Sequence, residues 1–301
     1  MEGVFKILKN SDSSFNSIEG IDLKNTVCFF EHNQPFRLKY VSPISIRFLK
    51  KGHVNYKSEN LYKNMNLNKL FLLVESRDFE SYVDEKTPVS GISIYFDPLL
   101  INEFDLVKNK GHNYLIDYPD INSEPLVTEL LIPKGDITLN GYLESIYFLL
   151  NCGLYNSAYM ESTLFNILRE LLNFHIDTFI KSENLLLRKN GSKKEIIRRI
   201  HLAKCFIHDY YDQKITLDDI TKSAYLSKYL FQRYFKRFFG ISPTQYLIQV
   251  RLVKAQDLIF EGMHSISEVA SKCGFNSPQH FNYSFKSHFG YCPSSVEDIL
   301  N

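Results

Sequence analysis

The sequence predicts an α+β chain with a strand-built front and an all-helical back. Three observations carry that reading. From about residue 20 to 135, apolar and polar residues alternate in short runs. After Leu139 the apolar spacing becomes helical. Within residues 193–301 one pattern of a short helix, a turn and a longer helix occurs twice, fifty residues apart.

Composition sets the outer limits. The chain has 301 residues, 44% of them apolar and 23% charged, enough for the cores of two ordinary domains. Thirty-five Lys and Arg against 34 Asp and Glu exclude a uniformly basic coat. The charge is uneven: residues 193–301 hold 15 basic and 10 acidic residues, which suits a polyanionic partner. Five scattered cysteines suggest neither a disulfide framework nor a zinc knuckle. No apolar run approaches the roughly 18 residues of a membrane span. The first residues lack the apolar stretch of a secretory signal. The expectation is a cytoplasmic protein without membrane attachment.

Taken in order, Phe36, Leu38 and Tyr40 alternate with Arg37 and Lys39, and Ile44, Ile46 and Phe48 with Ser45 and Arg47. Ser42-Pro43 and Lys51-Gly52 supply turns. Leu70–Val74 is apolar throughout, as a central strand would be, and Ile92, Ile94 and Phe96 alternate before Asp97-Pro98. Short strands at such intervals predict an antiparallel sandwich or barrel. Helices are then expected over about 140–181, the second from about Asn156 to Ile180. The polar run Arg188–Lys194 reads as a linker, so the domain boundary is placed at 192/193.

Behind it, Ile196, Ile197, Ile200, Ala203, Phe206, Ile207 and Tyr210 mark a helix from Lys193 to about Tyr210. Leu217–Ser223 is a short helix and Ser227–Phe239 a longer one closed by Gly240. Ser242-Pro243 opens a helix that runs to about Phe260. Ile266–Lys272, a turn at Cys273–Asn276, and Ser277–Phe289 closed by Gly290 repeat the first arrangement. Ser227 and Ser277 are placed to cap. Phe231 with Phe235, and Phe281 with Phe285, are spaced to bury together.

Such units place their second helix in the major groove of double-stranded DNA. The outward residues early in that helix are Tyr229, Gln232 and Arg233, then Gln279, Asn282 and Tyr283. Gln and Asn can read adenine, and Arg can read guanine or hold phosphate. Lys236, Arg237 and Lys286 are candidates for the phosphate backbone, or for dipole pairing at the helix ends. Ser227, Lys228 and Ser277 join the candidate phosphate contacts.

Residues 193–292 resemble the DNA-binding domain of the AraC/XylS family of bacterial transcription regulators. The resemblance rests on two blocks. Gly240–Ile259 is similar to the family's linker-helix signature. Ile266–Phe281, followed by Phe285-Lys286 and Gly290–Pro293, is similar to its most diagnostic segment. Three positions depart from the family pattern: Thr221 where Ala is common, Phe231 where Leu is, and Tyr283 where Arg is usual. The resemblance implies two helix-turn-helix units on a linker helix that spaces them by about one DNA turn, roughly 34 Å. It implies an activator, a contact with RNA polymerase, and a front domain (residues 1–192) that is a cupin-like β-barrel with helices. That domain would bind a small-molecule effector, form a homodimer, or both.

Phe36, Tyr40, Phe48, Tyr56 and Tyr95 are the candidate effector-pocket residues. His32, His53 and His112 stand apart without an HxH pair, so solvent-exposed or singly hydrogen-bonded histidines are expected, and no metal or cofactor. Neither a P-loop nor a dinucleotide fingerprint occurs, so no catalytic residue is assigned. The rival readings are a protein-interaction module using the helix pairs and, behind it, a cupin-type enzyme.

Overall fold

A computed structural model describes residues 5–11, 21–58, 61–67, 69–73, 77–84, 86–97, 99, 129–133, 138–154 and 156–295. His112 and much of the expected barrel between 100 and 137 lie outside the described residues. The chain divides into two compact units, Met1–Ile180 and Lys181–Asn301. The boundary expected from sequence, 192/193, lies within the polar run at 188–194. A helix already begins at Asn190.

Among the described residues the first unit has ten strands: β1 Lys6–Ser11, β2 Thr26–His32, β3 Phe36–Ser42, β4 Ile44–Lys51, β5 Val54–Ser58, β6 Leu61–Met65, β7 Lys69–Leu73, β8 Arg77–Val83, β9 Val89–Phe96 and β10 Glu129–Pro133. They form a six-stranded sheet, β1-β2-β9-β4-β7-β10, and a four-stranded sheet, β3-β8-β5-β6. Only the β1–β2 pairing is parallel among the described strands. The expected barrel is therefore corrected to two sheets, with no closed barrel among the described residues.

The larger sheet is covered on both faces. Helix α1 (Leu139–Cys152) lies on one face, where Tyr147 meets Phe29 at 5.4 Å and Phe48 at 6.3 Å between ring centroids. Its hydroxyl also shares a 3.0 Å hydrogen bond with Ser90 Oγ. Ile92, Ile94 and Phe96 are fully buried, and Phe5 bridges Phe96 to Phe165 of helix α2 (Ser157–Glu183). The opposite face meets the four-stranded sheet. Arg47 projects there from β4, against Tyr56 of β5, Phe71 of β7, Phe79 of β8 and Tyr95 of β9. A strand alternates its side chains between two faces, and here both faces are interior.

The second unit is helical: α3 Asn190–Tyr210, α4 Leu217–Ser223, α5 Lys228–Phe239, α6 Pro243–Phe260, α7 Ile266–Lys272 and α8 Pro278–Phe289. Three reciprocal capping boxes start α4, α6 and α7: Thr216 with Asp219, Ser242 with Gln245, and Ser265 with Glu268. Arg251 of α6 donates from Nε to the Tyr211 carbonyl at 2.7 Å and from Nη2 to the Gln213 carbonyl at 2.8 Å. The long helix thereby satisfies carbonyls just past the end of α3. Gly274, at φ +76°, lies in the same place: a Cβ there would come within 2.7 Å of the Tyr211 oxygen. The turn of the second helix pair is thus tied to α3 by close backbone approach.

Candidate nucleic-acid interface

Each helix pair is built around two phenylalanines one turn apart. Phe231 and Phe235 of α5 are fully buried with ring centroids 5.4 Å apart, and Phe281 and Phe285 of α8 repeat this at 5.5 Å. Phe281 and Phe285 pack with Val269, Ala270 and Cys273 from α7 and its end, and with Leu252, Ala255 and Ile259 of α6. Both longer helices stop at a left-handed glycine, Gly240 at φ +80° and Gly290 at φ +84°. At their starts the two units differ. Ser277 Oγ accepts a hydrogen bond from the His280 amide at 3.2 Å. Ser227 is extended but its side chain makes no capping bond, contrary to the sequence expectation.

Burying one stripe fixes what the opposite stripe presents. Tyr229, Gln232 and Arg233 are all exposed on α5, as are Gln279, Asn282 and Tyr283 on α8. Tyr229 is 70% and Tyr283 77% exposed. Lys236 and Lys286 are exposed at equivalent positions near the helix ends.

Two candidates sit differently from expectation. Lys228 Nζ pairs with Asp218 of α4 at 2.7 Å, so its charge is already met within the unit. Arg237 is half-buried, and its Nη1 is sealed from solvent without a hydrogen-bond partner. Spacing alone placed both on an outward face and could not reveal either.

The turn of the first unit carries strain. Tyr225 has φ +52°, a left-handed conformation that suits glycine better than a bulky residue. Its carbonyl accepts a hydrogen bond from Arg199 Nη1 on α3. Arg199 is oriented in turn by Glu195, which also takes both Nε and Nη2 of Arg198, at 2.8 and 2.9 Å. The charge-assisted bonds from Arg198, and then those from Arg199, hold the Glu195 carboxyl down to about 2.

A depressed carboxyl contributes stability above its unfolded pKa of roughly 4.3, and loses it as pH falls through the folded value. The Glu195 side chain is 42% exposed, so solvent screening limits the contribution. Glu195→Gln should therefore cost up to about 1 kcal/mol at pH 7. That difference should shrink from about pH 4.5 downwards and disappear near pH 2 in urea titrations of the two proteins. An undiminished difference at pH 2 would contradict this account.

In the first unit, Phe36, Tyr40, Tyr56 and Tyr95 come together around a cavity of about 50 Å³ between the sheets. Phe48 does not join them; its position on β4 turns it to the α1 face. His32 is buried, with its ring 4.7 Å from that of Phe36.

Two tandem helix-turn-helix units, each presenting a polar stripe, define the C-terminal unit as a double helix-turn-helix domain of the DNA-binding class. Comparison with known proteins agrees. The family described as "Helix-turn-helix domain" matches residues 220–298. The HTH-type transcriptional activator RhaS of Escherichia coli O139:H28 is 28% identical over 115 residues, 37% of this chain and 41% of that protein. The matched region thus spans about two-fifths of the curated relative's length.

A transcriptional regulator of Chromobacterium violaceum, described as an AraC-type DNA-binding-domain protein, is 26% identical. That likeness covers 36% of this chain and 93% of that one, with a TM-score of 0.32. The DNA-binding domain of AdpA, solved with a target DNA, is 27% identical over 33% of this chain and 90% of its own, TM-score 0.32. The C-terminal unit is thus similar to the helix-turn-helix domains of transcriptional regulators.

Proposed function

We propose that this protein is a sequence-specific double-stranded-DNA-binding transcriptional regulator, an activator controlled through its N-terminal unit. One observation carries the reading: both helix pairs bury the same two phenylalanine positions and expose the same three polar ones. Exposed Gln, Arg and Asn at the start of a second helix are the groups that read base edges in the major groove. Lys236 and Lys286 are the phosphate-facing cations in this reading, and Ser227, Ser277, Lys228 and Arg237 are secondary to them. Residues 193–301 serve as the DNA-binding part. Residues 1–192 serve as a cupin-like sensing and dimerisation part. The protein works in the cytoplasm as a homodimer and engages RNA polymerase.

Selection of genomic fragments by the full-length protein tests the reading, followed by titration of a selected fragment at several salt concentrations. A recurring sequence should emerge, with affinity falling steeply as salt rises. Failure to enrich any sequence above random fragments would overturn the proposal.

A further inference from the structure

The two longer helices of the helix pairs share one frame but present different chemistry. At equivalent positions α5 exposes Tyr229, Gln232 and Arg233, and α8 exposes Gln279, Asn282 and Tyr283. The outward face of α5 thus includes a guanidinium within its first two turns. The same face of α8 offers two carboxamides and a phenol. Lys286 is the one lysine or arginine anywhere in α8. It stands seven residues beyond Gln279, roughly 10 Å further along the helix axis. His280 precedes the buried Phe281, and its ring is engaged within the unit, 5.8 Å from that of Phe275 in the turn. Among the described residues no hydrogen-bond partner occupies the side chains of Gln279, Asn282 or Tyr283.

This set of groups suits one kind of base pair. In the major groove a guanine edge offers two acceptors, N7 and O6, which a guanidinium meets with two donors. A carboxamide brings an acceptor beside a donor, and that pair matches N6 and N7 of adenine. Set against guanine, the carboxamide oxygen finds no donor, and an acceptor desolvated without a partner is costly. Adenine's partner, thymine, adds a C5-methyl group, the apolar feature of the groove. Tyr283 is 77% exposed and follows Asn282 directly, one helical turn beyond Gln279. A ring there meets a methyl group with apolar surface, and a G·C pair has no such methyl.

We propose that α8 reads A·T base pairs alone: Gln279 and Asn282 each take an adenine edge, and Tyr283 lies against a thymine methyl. Guanine recognition is then left to Arg233 of α5, so the DNA site consists of two unlike elements. The inference rests on the regulator reading above and specifies what its second helix pair recognises.

Selection from a random double-stranded library by the full-length protein, repeated with Gln279→Ala, Asn282→Ala and Tyr283→Ala, locates the base pairs that α8 reads. All three side chains are exposed, so these variants should fold. The positions that relax should be A·T in the wild-type site, and exchanging one for G·C should weaken binding by roughly five- to 150-fold. Two base analogues separate edge reading from recognition of the narrow minor groove of A·T tracts. Adenine lacking N7 should weaken wild-type binding at the Gln279 and Asn282 positions, and uracil, which lacks the methyl, at the Tyr283 position. The matching alanine variants should be indifferent to the analogue. Tyr283→Arg should gain a preference for guanine at its position. A G·C pair at a position that relaxes, no relaxed position in any of the three variants, or indifference of the wild type to both analogues would each overturn the proposal and leave the regulator reading in place. If the wild-type protein enriches no sequence at all, both readings fail together.

Discussion

Phe281→Ala should lower the stability of the C-terminal unit by about 3–5 kcal/mol, the usual loss for a large ring removed from a closed core. The ring is 0% exposed and packs against Phe275 at 5.1 Å and Phe285 at 5.5 Å. Around them lie Val269, Ala270 and Cys273 on one side and Leu252, Ala255 and Ile259 on the other. Two helices of the pair and the long α6 therefore meet at this one side chain. Small neighbours such as Ala255 and Ala270 cannot reach across the void, and Gly274 holds its turn against the carbonyls beyond α3. Limited collapse puts the cost at the upper part of the range. Urea denaturation of Phe281→Ala beside Tyr283→Ala checks it. Tyr283 is mostly solvated, and its loss should change stability by no more than about 0.5 kcal/mol. A loss below about 1 kcal/mol for Phe281→Ala would mean that the core is not organised as described.

The helical half was legible because its signals are local. Leu217–Ser223 and Ile266–Lys272 match the structure at both ends, and Pro243–Phe260 begins and ends where Ser242-Pro243 and Phe260 suggested. Caps, prolines and left-handed glycines act within one turn of helix, so a linear reading finds them. What the reading lacked are contacts made across the unit: Lys228 with Asp218, Arg251 with the carbonyls of Tyr211 and Gln213, and the absent cap at Ser227.

The strand half shows a different kind of limit. Alternation in Ile44–Phe48 separated Ile46 and Phe48 from Ser45 and Arg47, and that separation is real. The apolar side lies under α1, yet the other side also faces inward, toward the second sheet. Period-two patterning tells which residues share a face, but whether the polar face meets water depends on pairing partners far along the chain. Alternation therefore does not reveal that Arg47 is buried, nor that the register of Phe48 separates it from the cavity residues Phe36, Tyr40, Tyr56 and Tyr95.

Arg233→Ala should weaken binding to a selected DNA site by about 1–3 kcal/mol, roughly a five- to 150-fold loss, and relax the base preference at one position. Arg233 is exposed on α5, and its recorded neighbour is the ring of the adjacent Tyr234, 5.9 Å from the guanidinium carbon. No described carboxylate holds it, so nothing within the protein must be broken before it reaches a base. The equivalent position in the second unit is Tyr283, which has no charge and a single hydroxyl to offer. The two units should consequently contribute unequally, with Tyr283→Ala costing less than Arg233→Ala. Lys236→Ala separates base reading from phosphate contact: it should weaken all sequences alike and reduce the salt slope by about one. Lys228→Ala should have the smaller effect, because that ammonium is already engaged by Asp218. Titrations of the four variants on the selected site and on a scrambled one, at two salt concentrations, distinguish these roles. If Arg233→Ala lost affinity equally for both sequences, Arg233 would be a backbone contact, and sequence preference would have to come from Tyr229, Gln232 or the second unit.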